Sequence, residues 1–144
     1  MKIFYIGLVI AISSIFLAGC MTNSREMVLE NQQSLKIRSF QVKKYNKPKV
    51  IVARAVVSTL QDLSFIIDKA DMMTGTVAAT KLAKNASMRM TIIVRERGKG
   101  ITEVRSNAQF SSLNQMPKAV TKPEFYNTFY SALDKSIFLE SEGL

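Results

Sequence analysis

Two alternating stretches joined by a glycine-flanked turn constrain the fold of this chain more than any other feature. In residues 87–97 apolar and polar side chains alternate, and the alternation resumes over residues 101–110. The Gly-Lys-Gly sequence at 98–100 is typical of a tight hairpin turn. One face of the predicted hairpin is apolar and the other is polar and charged. We therefore expect an antiparallel sheet that is covered on one side.

The turn also predicts the register of the hairpin. Pairing Arg97 with Ile101 places Glu103 opposite Arg95, which predicts a cross-strand ion pair. The side chains expected to point inward are Met88, Met90, Ile92, Val94, Val104, Ala108 and Phe110.

The segment before the hairpin supplies the rest of the predicted sheet and one helix. Residues 48–63 contain β-branched residues that favour a strand, but their apolar side chains recur every three and four positions, and we predict a helix. Asn46 is expected to cap this helix, with Pro48 in its first turn. The predicted strands are 34–44, with an irregularity near Ser39, then 65–67 and 76–82, the last two joined by a turn at 71–75.

The end of the chain predicts a second helix. Residues 111–120 are expected to form a loop, and Thr121 and Glu124 have the spacing of a capping box. The apolar stripe of the helix is Phe125, Phe129, Ala132, Leu133 and Ile137. The predicted order is β-α-β-β-β-β-α, a two-layer α+β sandwich with both helices on one face of a mainly antiparallel sheet.

The first twenty residues have the pattern of a secreted chain. Lys2 precedes an apolar run that is too short for a stable membrane span, and small residues follow the run. The sequence Leu17-Ala18-Gly19-Cys20 resembles a bacterial lipobox, in which the cysteine is acylated and the chain is cut before it. An ordinary signal peptide with an incidental cysteine is the alternative.

This segment also predicts the domain organisation. We expect a signal peptide over 1–19, an acylated Cys20 with a polar tether over 20–33, and one domain over 34–144. The sorting rule of bacterial lipoproteins associates Asp after the cysteine with the inner membrane, and here the residue is Met21. We therefore expect an outer-membrane protein anchored by palmitate and facing the periplasm.

Composition narrows the functional classes. Histidine and tryptophan are absent, so the commonest general base near neutral pH and the commonest metal ligand are missing. The only cysteine is Cys20, so no disulfide can form within the chain. The net charge is +9, without a block of five like charges. We expect no enzyme, no cofactor, no metal and no nucleic-acid partner.

Residues 34–140 resemble a family of small bacterial lipoproteins, most of them uncharacterised. The resemblance is carried by Leu60-Gln61-Asp62-Leu63, Phe65, Ile67, Gly75 and Lys81, and by Tyr126, Phe129, Leu133 and the sequence from Lys135 to Glu140. The order helix, strand, glycine turn and strand is also similar to the helix-grip modules of the C lipoprotein of the outer-membrane β-barrel assembly machine. Neither resemblance implies an activity or a catalytic residue.

Four groups of residues are candidate sites. Methionines 72, 73, 88 and 90 have thioethers suited to monovalent copper, although Met also fills cores. Asp62, Asp68 and Asp71 could bind a cation, although Asp at turns is commonly structural. The outer face of the hairpin and the aromatic last helix are the other two. The residues that we expect at a partner or ligand surface are Arg89, Arg95, Arg97, Arg105, Tyr126 and Tyr130.

Two functions remain open from the sequence. The first is a lipid-anchored module that binds a protein partner during assembly or maintenance of the outer membrane. The second is a binding protein that holds an apolar small molecule or lipid between helix and sheet. A cavity in the folded domain would favour the second function, and a closed core with an apolar surface would favour the first.

Overall fold

A computed structural model describes residues 34–143 of this chain; the predicted signal peptide, lipobox, acylated Cys20 and tether lie outside this range. Residues 34–41 form helix α1, and strand β1 (Val42–Tyr45) follows directly. The elements after them are α2 (Lys49–Asp62), β2 (Ile66–Asp71), β3 (Thr76–Ala83), β4 (Ala86–Glu96), β5 (Thr102–Ser112), β6 (Lys118–Ala119) and α3 (Pro123–Glu142).

The six strands form one antiparallel sheet in the order β1-β5-β4-β3-β2, and β6 pairs with β5. The predicted α+β class with an antiparallel sheet is confirmed. One core cluster draws its buried side chains from both long helices and from the inward face of the strands. The expected two-layer arrangement is consistent with this core.

The predicted strand over 34–44 is wrong for residues 34–41, which are helical. Ile37, Phe40 and Gln41 are the less exposed side chains of this segment. Their spacing of three and four residues places them on one face of a helix. What the sequence analysis took as an irregular strand near Ser39 is this helical spacing. Phe40 packs on the ring of Tyr126, with the ring centroids 5.5 Å apart.

The predicted helix over 48–63 is confirmed, but both predicted caps are wrong. The cap position of α2 is Pro48 and that of α3 is Lys122, and neither helix has a side-chain cap bond. Pro123 occupies the first helical position of α3, a place that its fixed φ suits. The helix therefore begins one residue later than a capping box from Thr121 to Glu124 requires.

The register of the central hairpin is confirmed, with Arg95 opposite Glu103. The predicted ion pair between these two residues is wrong, because Glu103 pairs with Arg97 at 3.0 Å instead. A long side chain such as that of Arg97 can reach the residue diagonally opposite on the adjacent strand. The loop expected over 111–120 is also shorter, since β5 continues to Ser112 and β6 lies within it.

Gly75 connects the β2–β3 turn to the central strand β4 by a backbone hydrogen bond. Its backbone has φ +74°, and its carbonyl oxygen accepts a hydrogen bond of 2.7 Å from the N–H of Val94. A Cβ at this position would collide with the carbonyl oxygen of Val94. Only glycine combines this φ with this close approach.

Candidate functional site

An apolar groove of about 500 Å³ lies between the helices and the sheet. Its floor is the inward face of β3, β4 and β5 at the end where β3 turns into β4. Met88 is half-buried there and Met90 is fully buried, whereas Phe110 is exposed. The apolar residues that line the groove are Leu63, Phe65, Leu82, Ala83, Ala86, Met88, Met90, Phe110, Phe125 and Phe129.

One wall of the groove depends on how α2 ends. The N–H of Phe65 donates to the carbonyl of Leu60, and the N–H of Ser64 donates to the carbonyl of Gln61, both at 2.8 Å. This bond pattern is a Schellman motif, and Ser64 takes its left-handed position with φ +64°. The motif reverses the chain and directs the ring of Phe65 into the wall of the groove.

The opposite wall is the first half of α3, which contributes Phe125 and Phe129. Pro123 starts this helix close to the groove, and Thr128 donates a hydrogen bond of 2.9 Å to the carbonyl of Glu124. Phe129 is buried and Phe125 is half-buried, so the helix seals the inner part of the groove and leaves the outer part open.

Small side chains keep the floor of the groove open. Ala83 and Ala86 pair with each other at the end of the β3–β4 hairpin. Toward the other end of the inward face, Val77, Ile92 and Val94 are completely buried. The groove therefore lies between the end of α2 and the first half of α3, over the β3–β4 end of the inward face.

Four polar residues, Lys81, Ser87, Glu124 and Thr128, also line the groove. The ammonium of Lys81 donates to the carbonyl of Leu63 at 2.9 Å and lies 5.8 Å from the ring centroid of Phe65. An ammonium has three donors, so two remain for a ligand. The groove thus combines an apolar interior with a cation and a carboxylate in its lining.

Exposed apolar side chains continue the groove onto the surface. The N–H of Leu113 donates to the carbonyl of Asn85, which holds the end of β5 against the β3–β4 turn. The large apolar side chains exposed in this region are Leu82, Phe110, Leu113 and Met116, and we call them the apolar rim.

Tyr126 and Tyr130 are not on the surface where the sequence analysis expected them. Tyr126 is completely buried and Tyr130 is 5% exposed. The hydroxyl of Tyr126 donates to the carbonyl of Val120 and accepts from the side chain of Gln41, at 2.8 and 3.1 Å. The hydroxyl of Tyr130 is hydrogen-bonded as well, to the carbonyl of Val104. Because a buried hydroxyl needs such partners, these bonds allow both tyrosines to belong to the core.

Both tyrosines make hydrogen bonds to the part of the β5 edge that lies between its two partner strands, β1 and β6. β1 pairs with residues 102–105 and β6 pairs with residues 109–110, which leaves residues 106–108 between them. Tyr126 accepts from the N–H of Ala108 and Tyr130 accepts from the hydroxyl of Ser106, at 3.3 and 3.1 Å. Burial raises the pKa of Tyr130 to about 12.

A third tyrosine, Tyr45, is half-buried at the end of β1. Burial and the adjacent carboxylate of Asp134 raise the pKa of Tyr45 well above its ordinary value. Asp134 accepts from the hydroxyl of Tyr45 at 3.0 Å and pairs with Lys43 at 2.7 Å. These contacts tie β1 to α3.

The four arginines of the predicted surface are exposed on the outward face of the sheet. Their side chains alternate with the inward ones along β4 and β5, as the sequence analysis expected. They therefore lie on the opposite face of the sheet from the groove. Another aromatic residue of α3, Phe138, is 62% exposed near the end of the helix and is not part of the groove lining.

The acidic and methionine candidates do not meet at one place. Asp71 accepts from the N–H groups of Thr74 and Met73 in the turn, and the bond from Thr74 is the main cause of its lowered pKa. Asp68 accepts from Thr80 at 2.6 Å. Within residues 34–143, no three His, Cys, Asp or Glu side chains are grouped in a way that could hold a metal ion. Met72 and Met73 are exposed, whereas Met88 and Met90 line the groove.

The sequence analysis named the aromatic helix but missed most of the groove. It expected Phe110 inward and treated Lys81 only as part of the resemblance. The signal that was available is the pair Ala83 and Ala86, small residues at a hairpin end where core residues would be larger.

Comparison of the chain with known protein-family models and with curated protein sequences finds no match. Among the helices of residues 34–143, none has the length and apolar character needed to cross a membrane.

Proposed function

We propose that this chain is a non-enzymatic, lipid-anchored envelope protein that holds the acyl chain of an amphiphile in its apolar groove. The groove is the observation that carries the proposal. Its volume of about 500 Å³ falls within the range of roughly 300–1,000 Å³ that is usual for small-molecule sites. Its lining is mostly apolar, with few polar groups.

The polarity of the lining favours an acyl chain over an extended peptide. A peptide brings backbone N–H and C=O groups that need partners when they leave water. The polar side chains of the lining are Lys81, Ser87, Glu124 and Thr128, and the hydroxyl of Thr128 already donates to its own helix. An acyl chain has no polar group to satisfy, so its burial is favourable throughout the groove.

The charged residues of the lining suggest where the head of the ligand lies. The ammonium of Lys81 keeps two donors after its bond to Leu63. An anionic oxygen of the headgroup would accept from Lys81, and Glu124 would repel a second negative charge. We therefore expect a ligand with one negative charge, or a zwitterion, rather than a polyanion.

Binding of cis-parinaric acid, a fluorescent fatty acid, tests this proposal. We expect the full chain to enhance its emission, and Met88→Asp to reduce the affinity about tenfold or more, since an acyl chain cannot share an apolar groove with a carboxylate. Phe138→Asp is the matched control, because Phe138 is exposed on α3 away from the groove.

The control variant also corrects for probe that binds elsewhere, including the apolar residues of the signal peptide. If Met88→Asp and Phe138→Asp bind the probe as the unaltered chain does, the groove is not the site and the proposal fails.

The anchor and the location form the second half of the proposal. The lipobox sequence and Met21 support an acylated Cys20 and a place in the outer membrane facing the periplasm, and all these residues precede residue 34. Cys20→Ser should abolish incorporation of labelled palmitate and leave the precursor uncleaved. Continued labelling of that variant would contradict the anchor.

A protein-binding module in outer-membrane assembly is the second candidate. The observation that favours it is the apolar rim, whose exposed side chains could receive the apolar face of a partner helix. A partner that crosslinks to a photoreactive residue at Leu113 but not at Phe138 would support this candidate.

A further inference from the structure

The outward face of the sheet contains a small depression that is independent of the groove. It lies near the Gly-Lys-Gly turn, has a volume of about 50 Å³, and is lined by Ile93, Arg95, Arg97, Glu103 and Arg105. A water molecule has a share of roughly 30 Å³ in the liquid, so the depression has room for the oxygens of one small anion. We call it the arginine pocket.

One arginine of the pocket is held in place and two are not paired. Glu103 accepts from Nε and Nη2 of Arg97 at 3.2 and 3.0 Å. Arg95 and Arg105 have no carboxylate within 4.0 Å in the part of the chain that the structure describes. Planar guanidinium groups with free donors are the side chains that bind phosphate most specifically.

Further cations surround the pocket on the same face. Lys44 of β1 lies opposite Glu103, and Arg89 lies farther along β4. Both are exposed, as is Lys99 in the turn. Neighbouring like charges repel one another across strands, and an anionic partner would relieve that repulsion.

The shape of this face selects the partner. Thr91 lies between Arg89 and the arginine pocket along β4, opposite Asn107 and Ala78, and none of these three side chains is long, so an extended surface can approach the sheet closely there. A membrane with anionic lipids presents a plane of phosphates, and each Lys or Arg near it contributes about fivefold to affinity.

We propose that the outward face docks on anionic phospholipid headgroups, with one lipid phosphate in the arginine pocket. The groove opens on the opposite face and at the other end of β4 and β5, so it stays accessible in the docked protein. This docking is independent of the ligand in the groove and is tested separately.

The absence of tryptophan from the chain provides the test. Thr91→Trp places a single tryptophan on the outward face, and Val50→Trp places one on the exposed side of α2. Each full-length variant is reconstituted into vesicles of phosphatidylcholine, with or without phosphatidylglycerol, that contain a lipid with a spin label on its headgroup. We expect phosphatidylglycerol to increase quenching for Thr91→Trp and not for Val50→Trp.

Charge substitutions locate the effect. Adding Arg95→Gln and Arg105→Gln to Thr91→Trp should lower the ratio of docked to undocked protein about thirtyfold. Adding Arg54→Gln and Lys135→Gln, which remove the same charge from the helices, should leave the quenching unchanged.

Equal quenching in the two kinds of vesicle would overturn the proposal. So would an equal loss in the two charge-substituted variants, because the effect would then follow net charge. Binding of inorganic phosphate without a difference between the vesicles would assign the pocket to free phosphate and would also contradict docking.

Discussion

The two ends of the inward sheet face have the same alternating pattern but different surroundings. At one end Val77, Ile92, Val94 and Val104 are completely buried under the helices. At the other end Met88 is half-buried and Phe110 is exposed, although both continue the same apolar alternation along β4 and β5. We call these the closed end and the open end.

The difference shows that alternation predicts which side chains face inward but not what covers them. β4 and β5 are both eleven residues long, and at the open end α2 and α3 border the inward face without covering it completely. Uncovered apolar surface of this kind commonly marks a binding site, and we propose that it does so here. The following predictions test the two ends, from the largest effect to the smallest.

Asp substitutions at the two ends give the largest contrast. Val94→Asp places an unpaired carboxylate in the closed end and should cost more than about 4 kcal/mol of unfolding free energy, enough to unfold the domain. Met88→Asp on the same strand and face should cost about 1 kcal/mol or less, because its carboxylate can reach water. Denaturant unfolding measures both, and equal losses would contradict the distinction between the ends.

Two glycines with similar φ test the packing at the closed end. Gly75→Ala should cost about 2–4 kcal/mol, since its Cβ would collide with the backbone of Val94. Gly100 has φ +72°, and a Cβ added there would have no atom within 4 Å. Gly100→Ala should therefore cost only the strain of a left-handed backbone, about 1–2 kcal/mol. Thermal unfolding should show that Gly75→Ala is the less stable variant. The opposite ranking would show that the β2–β3 turn is not in close contact with Val94 of β4.

Stability at high pH depends on Tyr130. Burial raises its pKa to about 12 in the folded chain, above the ordinary value of 10.0, so its contribution is complete below pH 10 and is lost as pH rises through about 12. The expected loss is about 2 kcal/mol. Tyr45 has a pKa shift in the same direction. Urea unfolding at a series of pH values should show a smaller alkaline loss for Tyr130→Phe, and an unchanged loss would argue against this assignment.

The smallest effect concerns the wall of the open end. Ser64 occupies the left-handed position of the Schellman motif, where glycine has no steric cost. Ser64→Gly should therefore raise the unfolding free energy by about 0.5–1 kcal/mol without changing the affinity for an acyl probe. A destabilised variant would mean that the serine side chain has a role in the turn.

Local patterns in the sequence predicted the parts of the fold that depend on local rules. The hairpin of β4 and β5, its register and the helix from Lys49 to Asp62 followed from periodicity and turn residues. Residues 34–41 were mistaken for a strand, because a short segment with few apolar residues fits both periods. Serine rather than glycine at position 64 gave no sequence signal for the Schellman motif that follows α2.

The candidate site was harder to predict, for a physical reason. The groove exists because the end of α2 and the first half of α3 form its opposite walls, and that placement depends on packing between residues distant in sequence. The aromatic residues of α3 signalled an apolar site, but only the fold divides them into Phe125 and Phe129 at the groove and Tyr126 and Tyr130 in the core. The outward arginines were predictable because strand alternation alone fixes their face.

Native mass spectrometry of the full chain, gently extracted from its own membranes, tests the central claim most directly. We predict a non-covalent mass of one amphiphile on the unaltered chain and on Phe138→Asp, and its absence from Met88→Asp. A chain without such a mass, or a mass that persists in Met88→Asp, would contradict a ligand in the groove. A stoichiometric protein adduct in its place would favour the protein-binding module.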